Sequence, residues 1–115
     1  MSVTIYHNPR CSKSRQTLAL LEEQNILPDI ILYLETPPNT HTIKKLLSQL
    51  GLTARQLMRR GESEYKDNDL KNPELTEDAL INAMSQHPKL IERPIVVANG
   101  KAKIGRPPES VLEIL

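Results

Sequence analysis

The single cysteine of this chain, Cys11, sits in the run HNPRCSKSR at residues 7–15, with Arg10, Lys13 and Arg15 around it. A short alternating apolar run precedes it and a helical pattern follows, so the thiol is expected at a helix N-terminus. There the unsatisfied backbone N–H groups and the positive end of the helix dipole favour the thiolate. The same N–H groups can hold an incoming oxyanion, so one feature supplies both a nucleophile and an anion site. The three nearby cations would strengthen this, and His7 would add to it if protonated. Other chemistries fail on spacing. A redox disulfide of the CxxC kind needs a second cysteine where Ser14 stands, so any redox cycle must draw on an outside thiol. A Cx5R phosphatase loop would need an arginine where Thr17 stands. A zinc site needs clustered ligands, whereas His7, His41 and His87 are scattered, and no metal is expected.

The elements that must position this thiol follow from periodicity. Val3 and Ile5 alternate with Thr4 and Tyr6, as in a short strand that Pro9 stops. Residues 12–24 contain no Gly or Pro and carry Leu18 and Leu21 three apart, predicting a helix. The continuous apolar run IILYL, residues 30–34, predicts a strand buried on both faces. Together these form a βαβ crossover. After the TPPNT connector at 36–40, Ile43, Leu46, Leu47 and Leu50 mark a helix that Gly51 stops. Thr53 can cap a shorter helix running through Leu57 and Met58 to Gly61, residues 61–75 read as mostly polar loop, and Thr76, Glu77 and Asp78 open a helix ending before His87-Pro88. IVVANGKAKI, residues 95–104, predicts a hairpin with a type I′ turn at Asn99-Gly100. An apolar helix with Val111, Leu112 and Leu115 closes the order. The α/β result is a four-stranded mixed sheet with flanking helices and a helical insertion.

At 115 residues the chain suits one domain, with a core that must be aliphatic because Phe and Trp are absent. A net charge of +1 gives no general attraction to nucleic acid or to a membrane, so neither is expected as a partner. No apolar stretch is long enough to span a bilayer and the N-terminus lacks the pattern of a secretory signal, so a cytoplasmic location is expected. A monomer is expected as well.

Several motifs carry a resemblance: VTIYHNP leading into Cys11, then ILYLETPP, LMRRGE, HPKLIERPIVV and GRPPE. In order and over residues 3–115 they resemble the glutaredoxin-dependent arsenate reductase family. The resemblance implies a thioredoxin-like fold, with a core at 1–35 and 88–115 and the helical insertion at 36–87. It implies Cys11 as nucleophile and Arg59, Arg93 and Arg106 as oxyanion-binding residues, with Arg60 beside Arg59 left open as the alternative. Guanidinium forks suit a tetrahedral oxyanion better than ammonium groups do. His7, Ser14, Arg15 and Pro94 make up the supporting set, Pro94 as the cis-proline such folds place opposite the reactive cysteine. The implied activity is reduction of arsenate to arsenite through a Cys11–arsenate adduct. Glutathione, a co-substrate and not a bound cofactor, and the partner glutaredoxin resolve that adduct. Where familiar reductases often carry Gly-Thr after the nucleophile, this chain has Ser12-Lys13. Two rivals remain open: a glutaredoxin-like reductase of glutathione mixed disulfides, and a non-enzymatic regulator of the Spx type that binds RNA polymerase, though Ser14 removes the CxxC switch such regulators often carry.

Overall fold

The computed structural model describes residues 2–115 and divides into two compact units, residues 2–36 with 93–115 and residues 37–92. The first unit holds β1 (Val3–Tyr6), α1 (Ser12–Glu23), β2 (Asp29–Ile31), β3 (Ile95–Ala98), β4 (Lys101–Ile104) and a 3₁₀ helix at Pro108–Ile114. Its sheet has the order β2-β1-β3-β4. β1 and β2 are parallel, as a βαβ crossover requires, and the other neighbours are antiparallel. The α/β class and the mixed four-stranded sheet expected from the sequence are thus present.

Cross-strand register explains the core. Val3 faces Ala98 and Ile5 faces Val96 on one side of the sheet, and Leu21 of α1 with Val111 and Ile114 of the 3₁₀ helix cover that side. Burying such aliphatic side chains contributes roughly 1.5–3 kcal/mol each relative to exposure. β3 is the strand withdrawn on both faces, with Ile95 and Val96 wholly buried. The sequence assigned that role to IILYL, and here the expectation is corrected. β2 covers only Asp29–Ile31, lies at the sheet edge and leaves Ile30 50% exposed. A continuous apolar run cannot by itself tell an edge from a centre. Asn99 and Gly100 both take positive φ, 55° and 75°, as the two central positions of a type I′ turn demand.

The second unit contains α2 (Thr40–Leu50), α3 (Ala54–Leu57), α4 (Ser63–Asp67) and α5 (Glu77–Gln86). Asn39 caps α2 by accepting from the Thr42 amide at 2.8 Å, and Gly51 ends it at φ 70°. Thr53 and Gln56 form a capping box on α3. Ile43, Leu46 and Leu47 of α2 are buried, as are Leu80, Ile81 and Met84 of α5, and these two helices pack together. Three expectations need correction. α3 stops at Leu57, because Met58 leaves the helix to bridge Ile91 and the Arg59 amide donates to the Leu90 carbonyl at 2.7 Å. The 61–75 stretch contains α4, and the last element is a 3₁₀ helix rather than an α-helix. Among the described residues, no helix is long and apolar enough to cross a membrane.

One glycine in the first unit is fixed by space and not by backbone freedom. A Cβ on Gly105 would lie 2.4 Å from Thr17 Oγ1 and 2.8 Å from Pro94 Cγ. Thr17 is fully buried and its hydroxyl donates to the Lys13 carbonyl, so it has little room to yield. Gly105→Ala is expected to lower stability by about 1–3 kcal/mol, the usual cost of overpacking. Gly105→Ala in a Thr17→Ala background should lose less. Urea midpoints of the four chains check this, and additive losses would contradict it.

Candidate active site

The β1–α1 connection is built on one buried hydroxyl. Ser14 has no exposed surface, and its Oγ accepts the Asn8 amide at 3.0 Å and lies 2.7 Å from His7 Nδ1. The Asn8 amide donates to that hydroxyl, and which of Ser14 Oγ and His7 Nδ1 donates to the other is set by the imidazole tautomer. Asn8 does more: its carbonyl accepts the Cys11 amide at 3.0 Å and its Oδ1 accepts the Arg10 amide at 3.0 Å. Arg15 Nη1 donates to the Pro9 carbonyl at 2.9 Å, tying the loop to the first turn of α1. The Asn8 role was missed in the sequence, although Asn-Pro is a recognised turn opener whose side chain can bond the backbone two residues on.

Cys11 is thereby held as the N-cap of α1. Its side chain makes no capping hydrogen bond and the first turn carries no acidic residue, so the opening amides of the helix stay available for another acceptor. The thiol is free of any disulfide and only 8% exposed. Arg106 Nη2 donates toward Cys11 Sγ at 3.7 Å, and Arg106 Nε donates to the Arg93 carbonyl at 2.9 Å. One guanidinium is thus anchored at one edge and aimed at sulfur with the other. Gly105 sets where Arg106 begins: its amide donates to the Pro94 carbonyl at 2.9 Å. The Arg93–Pro94 peptide is cis, as the resemblance implied, and so is Arg106–Pro107, which the sequence did not suggest. Arg93 Nε and Nη1 are withdrawn from solvent.

The first unit therefore brings together Cys11, Arg106, Arg93, Pro94, His7, Ser14 and Arg15. Arg59 belongs to the second unit. There its Nη1 pairs with Glu62 at 3.1 Å and its Nε with Glu92 at 3.7 Å, while neighbouring Arg60 is exposed.

His7 does not meet the condition of being protonated under which it would add to the cations. It is 6% exposed, and burial first, then repulsion from Arg15, holds its pKa below the ordinary 6.5. It therefore acts as a neutral hydrogen-bonding group and not as an added cation. Between its folded pKa and 6.5 the unfolded chain binds this proton and the folded chain does not, so stability rises with pH across that window. The contribution is fully present above 6.5 and is lost as the pH falls. Urea midpoints at about pH 7.5 and about pH 5.5 should differ more for the wild type than for His7→Gln. Equal differences would contradict a buried, neutral His7.

Comparison with known proteins agrees with this geometry. The sequence profile of the ArsC family matches residues 6–114. The chain is 53% identical to an arsenate reductase of Haemophilus influenzae over the full length of both. It is 60% identical to the Escherichia coli protein YfgD, across 98% of this chain and 96% of that one. A solved arsenate reductase from Vibrio cholerae superposes with a TM-score of 0.98 at 61% identity, covering 100% of this chain and 98% of the other. The fold is accordingly thioredoxin-like α/β. With a lone cysteine capping α1, an arginine aimed at its sulfur and a match that spans almost every residue, this chain belongs to the ArsC family.

Proposed function

We propose that the protein is an arsenate reductase in which Cys11 is the nucleophile and glutathione and glutaredoxin supply the electrons. The observation that carries this is the 3.7 Å approach of Arg106 Nη2 to Cys11 Sγ at the open N-terminus of α1. A charged fork beside a nucleophilic sulfur is placed to hold the oxygens of a tetrahedral anion while that sulfur attacks its centre. Relatives named arsenate reductase at 50% and 53% identity support the choice of oxyanion.

The chemistry balances as follows. Cys11 attacks as the thiolate, forming an S–As bond while one arsenate oxygen leaves as water after protonation. Arg106 and Arg93 take up charge on the remaining oxygens, and the family resemblance assigns Arg59 the same role. The glutathione thiolate then displaces a second oxygen, which leaves as water after protonation, so that arsenic carries both Cys11 Sγ and the glutathione sulfur. The glutaredoxin thiolate attacks the glutathione sulfur, and the electron pair of the broken S–As bond reduces arsenic from +5 to +3. The glutaredoxin–glutathione disulfide leaves arsenic(III) still bonded to Cys11, and water then displaces the Cys11 sulfur, releasing arsenite and a free Cys11. The second thiol that Ser14 denies this chain comes from outside.

NADPH consumption with arsenate, glutathione, glutaredoxin and glutathione reductase tests the assignment. Turnover should depend on arsenate, yield arsenite and vanish in Cys11→Ser. Arg106→Ala should lower kcat/KM for arsenate by about 10- to 100-fold, the loss expected when a charged hydrogen bond is removed. Absence of arsenate-dependent turnover by the folded chain, with rapid reduction of a glutathione mixed disulfide, would contradict it.

A further inference from the structure

The sheet of the first unit has two edges, and they are finished differently. β4 carries Lys101 and Lys103, and charged side chains of this kind discourage another strand from pairing there. β2 has no lysine, and its Ile30 is half exposed. Among the described residues the large exposed hydrophobics are Leu27, Ile30, Leu34 and Leu112, so three of the four lie within residues 27–34, around this one strand.

The backbone of that edge has its own pattern of donors and acceptors. The Ile31 carbonyl accepts the His7 amide at 2.9 Å, so residue 31 turns its backbone groups toward β1. Direction alternates along a strand, which turns the N–H and C=O of Ile30 outward and places Pro28 and Leu32 on the same outward side. At those two positions the groups are unequal. Pro28 has a carbonyl and no N–H. The Leu32 carbonyl already accepts the Glu35 and Thr36 amides, both at 2.9 Å, which fills its two lone pairs, while the Leu32 amide has no acceptor among the described residues. The donor absent from Pro28 is thus the one for which Leu32 has no free acceptor.

From this pattern we infer that β2 pairs with β2 of a second copy of this chain, antiparallel and two-fold symmetric about Ile30. In such a pair residue 30 faces itself and residue 28 faces residue 32, because positions equidistant from the axis oppose each other. Ile30 exchanges both backbone bonds with Ile30 of the second copy, and each Leu32 amide donates to the facing Pro28 carbonyl. Other registers match less well: Ile30 set against Leu32 leaves its N–H without an acceptor, and set against Pro28 it leaves its C=O without a donor. An unrelated strand with an N–H at every position would aim one at the filled Leu32 carbonyl; this chain supplies the proline that does not. The side chains agree. Pro28, Ile30 and Leu32 share one face, so apolar groups meet across the junction, and Asp29 opposes Ile31 and not the second Asp29, which keeps like charges from facing directly. The result departs from the monomer expected from the sequence. A ladder this short makes a weak, concentration-dependent dimer, with a Kd on the order of 100 µM.

Sedimentation velocity on the whole chain, from about 5 µM to about 500 µM, tests this. The wild type should pass from monomer toward dimer across that range. Ile30→Lys and Ile30→Glu, changes at an exposed position, should keep the far-UV spectrum of the fold and each raise the dissociation constant about ten-fold or more, since each sets like charges face to face at the axis. Mixed in equal amounts, the two variants should dimerise again, because residue 30 faces itself and opposite charges then meet. Leu112→Lys, at an exposed apolar position away from this edge, should dimerise as the wild type does. A wild type that stays monomeric at every concentration, a dimer untouched by either Ile30 change, or an equal mixture that stays monomeric would overturn the pairing.

Discussion

The hydroxyl of Ser14 is the contact on which the cysteine loop depends. A fully buried serine in the first turn of α1 has one proton to give and lone pairs to offer, and the loop ties it to two partners: the Asn8 amide, which donates to it, and His7 Nδ1. Asn8, so fixed, holds the amides of Arg10 and Cys11, and the thiol is left at the one position where a helix presents its open amides. Removing the hydroxyl would strand the buried His7 ring nitrogen and the part-buried Asn8 amide together, which costs more than the bond itself contributes. Position 14 thus serves structure here, where a cysteine would have served redox chemistry.

Opposite this loop, a steric constraint does comparable work. Gly105 lies against Thr17 and Pro94 more closely than any side chain permits, and this close approach starts Arg106 within reach of Cys11. The guanidinium is then oriented by the Arg93 carbonyl. One hydroxyl sets the nucleophile and one missing Cβ sets the cation; neither belongs to the residues that would touch the substrate. Rigid neighbours of this kind are what hold reacting groups to the tolerance that positioning requires.

Much of this was legible in the sequence, and the failures have physical causes. The 3.6-residue spacing of Ile43, Leu46 and Leu47, the threonine caps at 53 and 76 and the Asn99-Gly100 turn all act through local chemistry, and each appears where the pattern put it. IILYL was misread because burial of a strand depends on its neighbours in the sheet, which no window of five residues contains. Cys11 and its helix cap were legible from a proline, a lone thiol and the helix that follows. Arg93 and Arg106 were not singled out by spacing, only by resemblance, since a contact between residues 11 and 106 is set by how β4 returns to the sheet. His7 would add to the nearby cations only if protonated; whether it is protonated is decided by burial, which its sequence neighbours do not reveal.

The central claim is that the Cys11 sulfur bonds to arsenic within the reach of Arg106. A crystal structure of the chain soaked in arsenate, with the arsenic located by its anomalous scattering, tests this most directly. Arsenic bonded to Cys11 Sγ, with the Arg106 guanidinium on its oxygens, is the predicted result. Arsenic bound away from Sγ, or occupying the same position equally in a Cys11→Ser chain, would contradict it.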